Sequence, residues 1–181
     1  APNVNLVGNV VRGFRAPNID DLSIFDERSN GTEVPNPNLE PERITTFEGG
    51  VKLGDSRLSG SAYLYHSQLS DLLVRTDGLV KGLPFFDLDG NGVQGDNEPN
   101  VLQKQNLGES TVNGVELEGM FRMTPAWRVY GNVTWTRGTD TLADEPMRRI
   151  PPTFGTLGLR WSSRSTRLPW FEVLYQFATE Q

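Results

Sequence analysis

The chain of 181 residues has no cysteine, one histidine and three lysines among its 17 cations, and each shortage removes a class of chemistry. Without cysteine there is no disulfide framework, no thiol nucleophile and no thiolate zinc site. The single histidine, His66, has no Ser or Asp at triad spacing, and no G-x-S-x-G elbow occurs, so an enzyme is not expected. The turn Gly54-Asp55-Ser56-Arg57 starts like an esterase block, but no D-x-x-H follows it. No run approaches the roughly 18 apolar residues of a membrane-crossing helix, and the mean hydropathy is −0.44. A net charge of −6 with a pI near 4.8 excludes nucleic acid as the main partner, because phosphate binding needs a basic surface. A basic-then-apolar leader is also missing from the first residues, so the chain reads as mature or as an internal piece.

Helical periodicity is missing too, and 19 glycines and 12 prolines punctuate the chain. In its place is a two-residue period. Thr45, Phe47, Gly49, Val51 and Leu53 fall on one face, against Ile44, Thr46, Glu48, Gly50 and Lys52. Leu58, Gly60, Ala62 and Leu64 oppose Ser59, Ser61, Tyr63 and Tyr65. Val115, Leu117, Gly119 and Phe121 oppose Glu116, Glu118, Met120 and Arg122, and Trp127, Val129, Val133 and Trp135 oppose Arg128, Tyr130, Asn132 and Thr134. Leu157, Leu159 and Trp161 then oppose Thr156, Gly158 and Arg160, and Phe171, Val173, Tyr175 and Phe177 oppose Glu172, Leu174 and Gln176. With a less regular segment from Val4 to Phe14, this predicts an all-β chain of about seven strands.

The connections alternate in length. Long loops run from about Arg15 to Glu42 and from about Ser70 to Asn100, and a medium one from Gly138 to Pro152. Between them come tight turns at Gly54-Asp55-Ser56 and Thr124-Pro125-Ala126, and a short link from Ser163 to Leu168. All long loops therefore fall at one end and all short turns at the other, the asymmetry of a transmembrane antiparallel β-barrel of the outer membrane. Trp127, Trp161 and Trp170 stand beside the short turns, where an aromatic girdle meets the headgroups. Such bacterial barrels close with an even number of strands, at least eight, so seven strands read as a fragment.

Five segments carry a resemblance. Gly13-Phe14-Arg15-Ala16-Pro17-Asn18 and Asn36-Pro37-Asn38-Leu39-Glu40-Pro41-Glu42 resemble the FRAP and NPNL boxes of TonB-dependent outer-membrane receptors. Glu48-Gly49-Gly50-Val51-Lys52, Asn113-Gly114-Val115-Glu116-Leu117-Glu118-Gly119 and Arg148-Arg149-Ile150-Pro151-Pro152 resemble later segments of that family, in the same order. The resemblance implies a 22-stranded barrel plugged by an N-terminal domain, in the bacterial outer membrane, importing a scarce chelate such as a siderophore or a cobalamin-like ligand. Its implied partners are outer-membrane lipid, TonB and a small metal chelate. By that comparison residues 1–181 are a later part of the barrel, without the plug, the TonB box or the terminal aromatic strand. The haem-transporting members are similar in both boxes but carry a haem-ligating histidine between them, and Asn18 to Pro35 contains none.

One motif points to a metal. Asp87-Leu88-Asp89-Gly90-Asn91-Gly92-Val93-Gln94-Gly95-Asp96-Asn97-Glu98 fits D-x-[DN]-x-[DN]-G-x5-E. Ca²⁺ takes six to eight oxygens: side chains of Asp87, Asp89 and Asn91, the Val93 carbonyl and a bidentate Glu98 would supply them, with Gly92 allowing the sharp turn. Leu83-Pro84-Phe85-Phe86 before it and Pro99 after it leave no room for EF-hand helices. A solvated acidic turn accounts for the same residues. From Asp20 to Glu42 seven acids stand against Arg28 alone, and from Asp77 to Glu98 five stand against Lys81, which would make a negative mouth or simply soluble loops. The competing function is a soluble calcium-binding β-module that binds a partner or glycan through its loops; in it the apolar face would lie beneath a second sheet.

Overall fold

The computed structural model describes residues 3–163 and 169–180. In chain order the elements are β1 (Asn3–Arg15), α1 (Ile19–Ser23), β2 (Asp26–Arg28), β3 (Gly31–Val34), β4 (Glu42–Gly54), β5 (Leu58–Asp77), β6 (Val101–Arg122), β7 (Trp127–Asp140), β8 (Glu145–Pro146), β9 (Phe154–Ser162) and β10 (Trp170–Ala178). Seven long strands pair in sequence order, β1-β4-β5-β6-β7-β9-β10, in one sheet. This is the all-β, transmembrane antiparallel barrel fragment that the alternation and the order of long and short connections predict. The described residues contain no helix long and apolar enough to cross a membrane. The chain divides into two compact units, and β1, β4, β5 and β6 each contribute residues to both.

The first unit comprises Ala1–Val11, Thr45–Gln68 and Ser110–Gln181. Its register sorts the side chains into rows. Leu117, Val133, Gly155 and Phe177 are cross-strand neighbours, as are Phe121, Val129, Leu159 and Val173. On the opposite face Glu118 meets Asn132, Thr156 and Gln176, and Arg122 meets Arg128, Arg160 and Glu172. The apolar rows are not covered: Leu157 is 54 % exposed, Val173 60 % and Tyr175 63 %. Soluble monomers rarely expose so large a continuous apolar surface. No second sheet lies over it among the described residues. This is the side that a transmembrane barrel turns to lipid, and the polar rows form its lumen face.

Tyrosines on the lumen face explain glycines that a strand otherwise disfavours. Tyr130 lies over its register partner Gly158, so that a Cβ there would come within 2.7 Å of the ring. Tyr63 covers Gly50 in the same way. Each missing side chain makes the slot that flattens a ring against the wall.

On the lipid face, next to the Thr124–Trp127 turn, register partners Trp127, Trp161 and Phe171 form a cluster. Phe171 packs edge-on to Trp127 at 5.5 Å and stacks on Trp161 at 5.6 Å. The expected girdle exists, with one correction: Trp170 shares the parity of Glu172, and its ring covers the Arg160 guanidinium at 4.3 Å on the lumen face. Phe171 holds the girdle position instead. The turns themselves are closed by side chains. Asp55 Oδ1 accepts from the amides of Arg57 and Leu58, which lowers its pKa, and Thr124 Oγ1 accepts from those of Ala126 and Trp127. Residues 164–168 of the third short link lie outside the described residues.

The second unit comprises Arg12–Ile44 and Leu69–Glu109. Here the strands outrun the sequence reading, since β5 continues to Asp77 beyond the expected loop start at Ser70. The reason is local: Asp71 adopts φ 59°, interrupting the alternation, and Leu72-Leu73-Val74 after it has no two-residue period. The loop after β1 is also more ordered than expected. It holds α1, the β2–β3 hairpin and a parallel pairing of β3 to β6 (Thr32 with Val101, Val34 with Gln103). A small core of Val34, Phe85, Val101 and Leu102 forms there. Gly31, at φ 151°, is required because a Cβ would strike the Asn100 carbonyl oxygen.

Candidate functional site

Three groups of residues stand out, one on the lumen face and two in the second unit. The two sequence boxes meet in the second unit. Arg15, ending β1, donates through Nε to Glu42, which opens β4, and through NH1 to Asp21 at 3.0 Å. Asp21 is the third residue of α1 and completes a capping box with Asn18, whose Oδ1 accepts from the Asp21 amide at 2.7 Å. Lys104 of β6 reaches the other Asp21 oxygen at 2.9 Å. Burial works against ionisation of Asp21, but hydrogen bonds from Lys104, the Asn18 amide and Arg15 outweigh it and hold the carboxyl at about 2. Glu42 follows the same logic: burial opposes its charge, Arg15 and the Leu73 amide win, and its pKa falls.

The second box is fastened by side-chain amides. Asn36 Nδ2 donates to the Lys104 carbonyl, and Gln103 Nε2 to that of Pro35. Asn106 accepts from the Glu40 amide and donates to the carbonyls of Glu40 and Asp71. The boxes are thus a clamp holding the loop between β1 and β4 against β5 and β6.

Glu33 of β3, fully buried, takes Arg75 Nε at 2.8 Å and NH2 at 2.7 Å, with Arg28 at 3.3 Å. These pairings offset part of the negative charge counted along the first loop. Four of the seven acids counted along the loop meet cations from outside the counted segment: Asp21 meets Arg15 and Lys104, Glu33 meets Arg75, Glu40 meets Arg43 and Glu42 meets Arg15. A count along the chain cannot register partners supplied by other strands.

The loop between β5 and β6 brings together three of the expected metal ligands: one carboxylate oxygen each from Asp87, Asp89 and Glu98 lies within 4.8 Å of the others. Amides shape the loop. Asp87 accepts from Gly90, Asn91 and Gly92, and Glu98 from Leu88 at 2.7 Å and Gly95 at 2.8 Å. Asn91 is differently engaged: its Oδ1 accepts from the Val93 amide at 2.6 Å, and its Nδ2 donates to Asp89.

On the lumen face an open cavity of about 850 Å³ is lined by Lys52, Ser61, Glu118, Arg128, Tyr130, Asn132, Thr156, Arg160 and Glu172. Lys52 sits 5.7 Å from the Tyr63 ring centre, and Glu118 accepts from Ser61 Oγ at 3.0 Å. The sequence reading places Glu118, Arg128, Arg160 and Glu172 on this face but does not foresee the cavity. His66 lies elsewhere in this unit, hydrogen-bonded to Asn113 at 2.7 Å, with no nucleophile or carboxylate in that pair.

The family model "TonB dependent receptor-like, beta-barrel" matches residues 1–179. A search of curated proteins finds no significant match. Among solved structures, the chain is similar to the ferric enterobactin receptor PfeA of Pseudomonas aeruginosa (TM-score 0.71, 16 % identity, 87 % of this chain and 23 % of that one). It is also similar to the copper transporter OprC (TM-score 0.68, 17 % identity, 97 % and 24 %) and to the siderophore receptor PirA of Acinetobacter baumannii (TM-score 0.67, 17 % identity, 88 % and 24 %). The chain spans about a quarter of each of these proteins, and at these identities the likeness shows the fold.

Proposed function

Since the chain belongs to the TonB-dependent receptor-like β-barrel family, we propose that it is a later part of the barrel of a bacterial outer-membrane receptor that imports a scarce metal chelate. The observation that carries this is the sorting of one sheet into an uncovered apolar face and a charged lumen face, a wall stable only between lipid and water. In this reading TonB couples to an N-terminal part, and a plug fills the lumen. The similarity to siderophore receptors and to a copper transporter favours a metal-bearing cargo. A haem cargo held by histidine is disfavoured, since the segment between the boxes has none and His66 is bonded to Asn113. The test is a deletion strain grown under iron and, separately, copper limitation, with uptake of labelled ferric siderophores and copper. A TonB-dependent uptake defect restored by the full-length gene is the expected result; unchanged uptake of every iron and copper source would overturn the reading.

We further propose that the 87–98 loop takes Ca²⁺ through Asp87, Asp89 and Glu98, with Asn91 and the Val93 carbonyl drawn in. Convergence of three carboxylates in a loop already turned by its amides supports this. Without flanking helices the affinity should be that of extracellular modules, about 10⁻⁴ to 10⁻³ M. Titration calorimetry of the intact receptor at a few millimolar calcium tests it. Heat lost in the double variant Asp87→Ala, Glu98→Ala supports the site, and its absence in the wild type reduces the loop to a solvated acidic turn.

A further inference from the structure

Charge on the lipid-facing side of the wall is confined to one place. On the described strands of the first unit, Arg137 is the one charged side chain with the parity of Val133 and Trp135; the others, such as Glu118, Arg128 and Arg160, have lumen parity. The alternation holds to this height, because the β6–β7 register is unbroken and Tyr65 meets Thr136 at 2.9 Å on the lumen side. Arg137 is exposed and makes no ion pair among the described residues. The acids at that end of β7 and β8, Asp140 and Glu145, are register partners of lumen parity. Arg137 pairs across the sheet with Asn113, whose Oδ1 accepts from His66 Nδ1 at 2.7 Å, while Asn113 Nδ2 has no partner. His66, Asn113 and Arg137 thus form one polar row on β5, β6 and β7. Toward the short turns the same face becomes apolar at once, with Leu64 63 % exposed and Trp135, 42 % exposed, opposite Val115. Toward the long connections Thr111 faces Thr139. From Trp127, in the aromatic cluster beside the short turn, to Arg137 is ten residues of β7. That is about 33 Å of strand, or about 25 Å of height at a tilt of about 40°, which is the height of the apolar band of such a barrel.

We propose that Arg137, Asn113 and Trp135 seat the phosphate headgroup of a membrane lipid, whose chains lie on the apolar rows beside them. The proposal rests on the receptor reading above. A guanidinium at the edge of the apolar band is costly unless an anion meets it, and its planar fork matches two phosphate oxygens. Asn113 Nδ2 offers a second donor from the neighbouring strand, and its direction is set because His66 holds the amide oxygen. The Trp135 indole suits the same boundary, with an apolar body toward the chains and an N–H toward the headgroup. The surroundings decide the source of the phosphate. Leu64, Val115, Leu117 and Val133 begin an apolar wall one step from the row, from which a free phosphate ion gains nothing and lipid chains gain contact. An acidic peptide seated there would carry unpaired backbone groups to the lipid boundary, which hydrocarbon disfavours.

Native mass spectrometry of the full-length receptor in uncharged detergent tests this, with dilauroyl phosphatidic acid as the probe. Heat-modifiable mobility establishes the barrel first, and its absence would sink the receptor reading and this proposal together. With the barrel folded, the wild type is expected to retain phosphatidic acid about fivefold better than Arg137→Gln, the scale of one partly exposed charge-assisted pair. Asn113→Ala should lose part of that retention. Arg122→Gln, which removes an arginine of lumen parity, should lose none. Dilauroylglycerol, with the same chains and no phosphate, should bind wild type and Arg137→Gln alike, and glycerol phosphate, with no chains, should not displace the lipid. Equal retention of phosphatidic acid by the folded wild type and Arg137→Gln would overturn the proposal. So would its displacement by glycerol phosphate, which makes the ligand a free phosphate, or a receptor dimer abolished by Arg137→Gln with no change in lipid, which gives the row to a second copy.

Discussion

The guanidinium of Arg15 and the carboxylate of Glu42 are hydrogen-bonded partners 27 residues apart, joining the end of β1 to the beginning of β4. Between them lie α1, the β2–β3 hairpin and the second sequence box, so this pair shuts a loop whose ends are fixed by two strands. Glu42 also accepts from the Leu73 amide, which ties the closure to β5. Glu42→Ala removes two charge-assisted hydrogen bonds, each worth about 1.5 to 3 kcal/mol when well shielded, and less here because Arg15 is half exposed. The expected outcome is faster protease cleavage between Pro17 and Pro41 at unchanged barrel stability. Arg12→Ala, also near the end of β1, should have no such effect.

Acid should open the same loop. The folded-state pKa of Asp21, about 2, lies below its ordinary 3.8, so folding favours the charged carboxylate. Its contribution is therefore complete above about pH 4 and is lost as the pH falls toward 2. The lowered Glu42 acts in the same direction. Amide exchange in α1 should accelerate across this window, and Asp21→Asn should remove most of that dependence. Equal protection at pH 5 and pH 2 would contradict the assignment.

The face assignment gives a paired test. Val133 lies in a lipid-facing row and Thr134, beside it, in the lumen row of Glu116 and Phe154. Arg at mid-depth on the lipid side costs roughly 2 to 4 kcal/mol. Val133→Arg is therefore expected to reduce heat-modifiable, folded receptor in the outer membrane, and Thr134→Arg to leave it unchanged. Equal assembly of the two would overturn the face assignment.

What was legible in the sequence follows from which interactions are local to a strand. Alternation at 115–122, 127–135 and 155–161 gave both faces, because a period of two survives wherever one side meets lipid and the other water. The boxes gave the family. The clamp was not legible, since Arg15, Asp21, Glu42 and Lys104 are brought together from β1, α1, β4 and β6, and no spacing encodes that meeting. The extra length of β5 was hidden by the single residue Asp71, whose φ of 59° shifts the pattern. For α1 a signal did exist: Asn18 with Asp21 three residues on is a capping pair, overlooked because a five-residue helix has too few positions to show a period. In the 87–98 loop, spacing brought out Asp87, Asp89 and Glu98 together, whereas Asn91 is held by its own neighbours.

The pairing of Tyr130 with Gly158 separates a packing role for the strand glycines from mere tolerance of a missing side chain. Any Cβ at position 158 meets the Tyr130 ring within 2.7 Å, and the atoms it meets belong to a rigid ring that can only swing away from the wall. Gly158→Val would ordinarily improve a strand, because β-branched residues have the higher sheet propensity. Here it should do the reverse, expelling Tyr130 into the lumen cavity that Tyr130 itself helps to line. The loss should be about 1 to 3 kcal/mol, the usual cost of overpacking. Tyr130→Ala would empty the slot, so the double variant Gly158→Val with Tyr130→Ala should recover much of the loss. Measured as urea midpoints of the folded barrel in detergent, a Gly158→Val variant as stable as the wild type would show that the ring does not depend on the glycine.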